Sequence, residues 1–211
     1  MAMSKHSSAG GTRVVRRVLS SNQAATRDKL IDAAIEVATE SGYEGAGVRE
    51  VAARAGVSPA TAYQHVSSKD QLLIEALLAL GDRVTENVRA RQPSSADPAG
   101  RLMEVFARIM RQAAQKPLLY QALFRAYVGG YPAVAGSDEA IGFGPERAAW
   151  IGAALRAGGS GGYDDAEIDS AARILSTMFL GAIVGVAAGR DAEEVTDILG
   201  EAVARLLPDR R

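Results

Sequence analysis

Residues 47–70, GVREVAARAGVSPATAYQHVSSKD, decide how the rest of this chain is read. Val48, Val51, Ala52 and Ala55 recur at i, i+3, i+4 and i+7, the spacing of one apolar helix face. Gly56 then suits the left-handed position that ends a helix, and Val57 is expected to drop into the core between helices. Ser58 is a good N-cap, and Pro59 suits the first helical position, where a missing N–H costs nothing. A helix, a turn of about four residues containing glycine and a second capped helix form a helix-turn-helix, whose second helix enters the DNA major groove. Thr61, Tyr63, Gln64 and His65 give that second helix hydroxyl, phenol, amide and imidazole groups able to meet base edges or phosphates. A plain helical hairpin with a solvated polar face is the competing reading of the same periodicity.

The flanking sequence decides between them. TRDKLIDAAIEVATESGYEG, VREVAARAGVS and TAYQHVSSKDQLL, within residues 26–75, closely resemble the DNA-binding domain of the TetR family of one-component transcriptional regulators. Gly56-Val57-Ser58, Tyr63, Ser68-Lys69 and Leu72-Leu73 carry the resemblance in register. Ala62 and Val66 depart from it, standing where the family usually has a larger aliphatic and an aromatic. Gly47 replaces the usual Thr or Ser cap. The resemblance implies an all-α protein: an N-terminal three-helix DNA-binding domain with a helix-turn-helix, then a helical ligand-binding and dimerisation domain. Thr61 and Gln64 are the expected base readers. Tyr63, His65, Lys69 and Arg49 are assigned to phosphates, with main-chain N–H groups from Ser58, Pro59 and Ala60 at the helix start.

Composition sets outer bounds. The chain has 211 residues, 47% of them hydrophobic, enough for a core, and no cysteine, which excludes disulfides and thiolate zinc sites. That usage agrees with a reducing cytoplasm. Residues 1–25 hold Lys5, Arg13, Arg16 and Arg17 with no acidic residue and no signal-peptide apolar stretch. They read either as a flexible tail or as a basic arm reaching phosphates or the minor groove. The net charge of −1 is unevenly spread: nine Lys/Arg face seven Asp/Glu in residues 1–70, and fifteen face eighteen in 71–211. Ile174–Gly189 is uncharged but shorter than the ~20 residues that span a bilayer, so a buried helix is expected and no membrane partner.

Beyond the reader the pattern is helix after helix. The first helix is expected from Thr26 as cap, burying Ile31, Ala34, Ile35 and Ala38 and stopping at Gly42. Ser68-x-x-Gln71 reads as a capping box opening a long helix through Leu73, Leu77, Leu80, Val84 and Val88 to about Arg91, a lever joining the reader, 26–70, to a second domain, 71–208. Helices are then expected at about 99–115, 117–128 ending at Gly129-Gly130, and 145–157. Asp164-x-x-Glu167 and Asp191-x-x-Glu194 cap the last two, Asp165–Gly189 and Ala192–Leu207. By the resemblance, these two helices form a homodimer, which also suits a two-fold DNA site.

No catalytic constellation accompanies this layout. His6 and His65 are the only histidines, and no Gly-x-Ser-x-Gly elbow is present. GGSGG at 158–162 lacks the Lys-Ser/Thr of a phosphate loop. An enzyme is not expected, nor a metal or cofactor. The second domain instead collects bulky residues on separate helices: Phe106, Met110, Leu119, Tyr120, Leu123, Phe124, Tyr127, Trp150, Met178 and Phe179. In a TetR-like protein such helices surround an apolar effector cavity. Arg125 or Arg147 would meet an anionic group. Lys116-Pro117-Leu118-Leu119 through Arg125-Ala126-Tyr127-Val128 further resembles the family's repressors of steroid catabolism, which implies a lipid- or steroid-derived acyl-CoA effector. The expectation is a repressor released from double-stranded operator DNA by a small hydrophobic effector. A multidrug-responsive repressor and a ligand-dependent activator share every motif.

Overall fold

A computed structural model describes residues 21–90, 93–134 and 149–210. Within them the chain forms α1 (Ser21–Gly45), α2 (Val48–Arg54), α3 (Pro59–His65), α4 (Lys69–Ala90), α5 (Pro98–Gln115), α6 (Pro117–Val134), α7 (Ala149–Arg156), α8 (Asp165–Ala187) and α9 (Ala192–Leu206). No strand occurs among the described residues. The all-α expectation holds, with the helix-turn-helix at the N-terminal end.

The first helix corrects three expectations. It begins at Ser21, so the arm expected over 1–25 yields its last residues to α1, and residues 1–20 lie outside those described. Thr26 is therefore interior, its hydroxyl donating to the Asn22 carbonyl (2.9 Å) instead of capping. The deepest line runs through Leu30, Ala33, Ala34, Val37 and Ala38, while Ile31 and Ile35 are only half-buried. Helix α1 packs against α2, α4 and α6 at once, so its buried arc is wider than one stripe and centred differently. Gly42 breaks the helix as expected, with φ +62°, before a last turn to Gly45.

Helix α4 leaves the reader and packs on α1, α6 and α7. Arg27–Glu75 (3.0 Å) and Arg83–Asp32 pin it to α1. Helix α6 runs to Val134, past the glycine pair expected to end it; helical glycine costs only about 1 kcal/mol against alanine. Residues 135–148, including Arg147, lie outside the described residues.

Helices α5 and α7 are joined by a buried cation. Arg101, only 2% exposed, donates to the carbonyls of Ala96 (2.6 Å), Ala154 (3.3 Å), Leu155 (2.8 Å) and Gly159 (2.5 Å). It thereby closes the C-terminus of α7, where free carbonyls carry the negative end of the helix dipole. Burial lowers its pKa, opposed by nearby Asp97.

Helix α8 opens on the full capping box read from Asp164 and Glu167, with bonds of 2.8 and 3.0 Å. Its neighbour α9 forms half of one: Asp191 caps the N–H groups of Glu193 and Glu194, but the Glu194 carboxylate turns back to Arg190 (2.8 Å). By length and composition α8 is apolar enough to cross a membrane, yet it packs against α5, α6, α7 and α9.

Candidate functional site: the DNA-reading surface and the effector cavity

The reader is built by local chemistry. Gly56 takes φ +69°, ending α2, and the Val57 N–H bonds the Ala52 carbonyl (3.0 Å). Val57, expected in the core, stays half-buried against its edge, because it lies in the turn between the helices and not on either face. Ser58 caps α3, accepting the Thr61 N–H at 3.0 Å, with Pro59 in the first turn. Gly47 caps α2 with no side-chain bond, as its residue type requires. Ala62 and Val66 are fully buried, so the smaller residues at these positions close the reader's core at short range.

Pro59, Ala60, Tyr63 and Gln64 form one exposed face of α3, with Tyr63 53% accessible. Thr61 and His65 flank it, half-buried. The Thr61 hydroxyl shares a 2.8 Å hydrogen bond with Ser58, so it reaches DNA only by leaving or sharing that bond. Pro59 has no N–H and that of Thr61 is taken, which reduces the expected main-chain donors to Ser58 and Ala60. Arg49 is exposed at the start of α2. Arg54 is instead committed to Glu36 (3.3 Å) and Glu40 (2.6 Å) on α1.

Lys69 sits where the reader meets the rest of the molecule. Its ammonium lies 3.6 Å from the Tyr43 ring centre and donates to the Tyr43 carbonyl (3.1 Å). Arg125 of α6 also stacks on that ring at 4.0 Å and pairs with Glu44 at 2.8 Å. The Tyr43 hydroxyl donates to Asp70 (2.6 Å), which raises the phenol's pKa, burial adding to the shift. The end of α1, the start of α4 and the middle of α6 are thus tied at one aromatic ring. Ser68 caps α4 through the Gln71 N–H (3.1 Å), while the Gln71 side chain accepts from Ser67.

The second site is a cavity of about 180 Å³ between α4, α5, α6, α7 and α8. Tyr120, Phe124, Tyr127 and Trp150 line it, as the sequence suggested. Phe106, Met110, Leu119 and Leu123 do not: they are sealed in the core. Phe106 stacks on Phe179 (5.0 Å) and meets Trp150 edge-on (5.8 Å), backing the wall without facing the space. Met178 is 38% exposed, on the opposite side of α8 from the lining residues Ser176, Phe179, Leu180 and Ile183. Arg125 points to Tyr43, not to the cavity. Missing from the sequence list was the share from α4: Leu77, Leu78, Leu80, Gly81, Val84 and Thr85. Its signal was present, since α4 carries apolar residues on more faces than one buried stripe needs.

A capped helix with a polar exposed face on a three-helix head, joined by one continuous helix to a cavity-bearing helical body, is the arrangement of a helix-turn-helix followed by a helical second domain. Residues 30–76 match the profile of the bacterial regulatory proteins of the tetR family. The HTH-type transcriptional repressor KstR of Rhodococcus jostii (strain RHA1) is 33% identical over 125 residues, 59% of this chain and 58% of that protein. The chain matches about half the length of these curated relatives. A TetR transcriptional regulator from Rhodococcus sp. RHA1 shares the fold across 89% of this chain and 97% of its own, with a TM-score of 0.70 at 23% identity. So does Thermus thermophilus FadR, a TetR-family repressor solved with lauroyl-CoA, over 88% and 96% at a TM-score of 0.59 and 20% identity. Over residues 30–76 this chain matches the tetR-family DNA-binding domain, and beyond it the chain is similar in sequence and fold to TetR-family transcriptional regulators.

Proposed function

We propose that this protein is a homodimeric cytoplasmic repressor that holds a palindromic operator and releases it when a small hydrophobic effector fills the cavity. The observation that carries this reading is α4. Its first turn holds Lys69 and Asp70 at the reader, and Leu77 to Thr85 of the same helix line the cavity. Between Lys69 and Leu77 a helix rises only about 12 Å, so a displacement at one end is felt at the other. The effector must favour the state that does not fit DNA. A coupling of about 1–3 kcal/mol changes operator affinity roughly 5–150-fold.

The pairing surface is the outer side of α8 and α9. Ile174, Met178, Val184 and Ile198 are exposed there, and a side chain added at Gly181 would meet nothing within 4 Å. An apolar strip of this kind suits a self-complementary two-fold interface. Two reader heads then need a separation of about 34–36 Å to enter successive major grooves. The repressor KstR among the relatives supports repression, and the lauroyl-CoA complex of the FadR neighbour supports a lipid-like effector.

In this reading Gln64 and Thr61 read bases, and Arg49, Tyr63, His65 and Lys69 hold phosphates. Gln64→Ala should flatten discrimination between the operator and base-substituted duplexes. Lys69→Ala should weaken all duplexes alike and lower the salt slope by about one unit. Binding isotherms across a salt series separate the two. Unchanged discrimination in Gln64→Ala removes that residue from base reading, and failure of the paired, folded protein to bind duplexes from its own upstream region overturns the proposal.

A further inference from the structure

The cavity has a one-sided chemistry. Its lining is mostly aliphatic and aromatic, and among the described residues no lysine or arginine contributes to it; Asp82, exposed at the edge, is the charged member. Two of its hydroxyls are already spent as donors. Thr85 donates to the Gly81 carbonyl (3.1 Å) and Ser176 to that of Arg173 (3.0 Å), which leaves each oxygen only able to accept.

Tyr120 differs. It is 8% exposed and stacks on Phe124 at 6.4 Å, yet its hydroxyl finds no hydrogen-bond partner among the described residues. Among the described residues no fully enclosed side-chain nitrogen or oxygen lacks a partner, so this hydroxyl meets open space, and the space Tyr120 lines is the cavity. Burial raises its pKa, which keeps the phenol protonated and a donor. A donor that faces the cavity with no protein acceptor is the group a ligand oxygen entering that space would meet.

We infer that the enclosed part of the effector is an uncharged, apolar body carrying one neutral acceptor oxygen, such as a carbonyl, placed on the Tyr120 hydroxyl. The inference rests on the cavity being the effector site and adds the chemistry that site selects. Among the described residues a carboxylate or phosphate would lose its water without gaining a cation, a penalty of several kcal/mol, and would approach Asp82. An ammonium would bring no acceptor to Tyr120. A cavity of about 180 Å³ encloses on the order of ten non-hydrogen atoms, given that one near 150 Å³ holds benzene.

Trp150, the single tryptophan, stands in the wall and reports occupancy by its emission. Titration of the full chain with octan-2-one, octane, octanoate and octylammonium compares one chain length in four chemistries. Octan-2-one should give the tightest saturable response, at least about tenfold tighter than octanoate, and Tyr120→Phe should weaken it about fivefold while leaving octane unchanged. Equal or tighter binding of octanoate or octylammonium overturns the inference. So does a Tyr120→Phe variant, native by circular dichroism, that binds the ketone as well as the parent, or a ketone that elicits no saturable response. Ketone binding that leaves operator affinity unchanged would instead sink the release mechanism, and the cavity's chemistry would stand.

Discussion

The head and the body of this molecule are fixed by bonds of different reach. In the reader, Ser58 caps Thr61 and Ser68 caps Gln71, partners three residues apart. In the body, Arg101 holds carbonyls 53, 54 and 58 residues away. Short-range bonds are set by residue type and cost little chain entropy to form, so the head's geometry repeats wherever its motif repeats. Long-range bonds exist only once several helices have packed, and they place the cavity wall that α7 carries through Trp150.

The contrast breaks most visibly at Arg101. Arg101→Ala leaves the carbonyls of Ala96, Ala154, Leu155 and Gly159 without their donor and should destabilise the protein by about 3 kcal/mol, read as a lowered urea midpoint. A loss under about 1 kcal/mol would mean that water replaces the guanidinium and that the body does not depend on this contact. Ser58→Ala tests the head on the same scale. Loss of that cap should cost about 1 kcal/mol and weaken operator binding, with Trp150 emission unaltered because the body is untouched. An altered Trp150 signal would show that the two regions are not separable in this way. The smallest effect runs in the opposite direction. Gly47 has φ −67° and ψ 148°, ordinary for any residue, and a side chain there would meet nothing within 4 Å. Gly47→Ser should therefore add the missing cap and stabilise the head by a few tenths of a kcal/mol, visible as a higher melting temperature. A lower one would mean that the glycine serves something other than the cap.

What was legible follows the same division. The turn glycine at 56, the Ser58 cap with Pro59 behind it, and the Asp164–Glu167 capping box were all readable, because each is a bond between residues already adjacent in sequence. In the cavity, residue type identified Tyr120, Phe124, Tyr127 and Trp150, yet the same reasoning drew in Phe106, Met110, Leu119 and Leu123, which are core, and Met178, which faces outward. Bulk and apolarity do not tell lining from filling. That difference depends on which side of each helix meets a gap, and a shift of one residue turns a side chain by about 100°.

The Tyr43 cluster is the plainest case of something no pattern announced. Lys69, assigned to phosphate by type and position, and Arg125 are surface cations by type, and the fold also stacks both on one ring and beside Glu44.

By itself the sequence determined the helices and the position of the helix-turn-helix among them, since caps, turn glycines and apolar periodicity act over three to seven residues. Only the tertiary structure decided which faces close on one another. It made α4 the largest wall of the cavity, turned Tyr120 onto that space, and tied the start of α4 to α6 through Tyr43. The physical reason is that burial and pairing between distant residues are properties of the packed assembly, and no segment of the chain carries them alone.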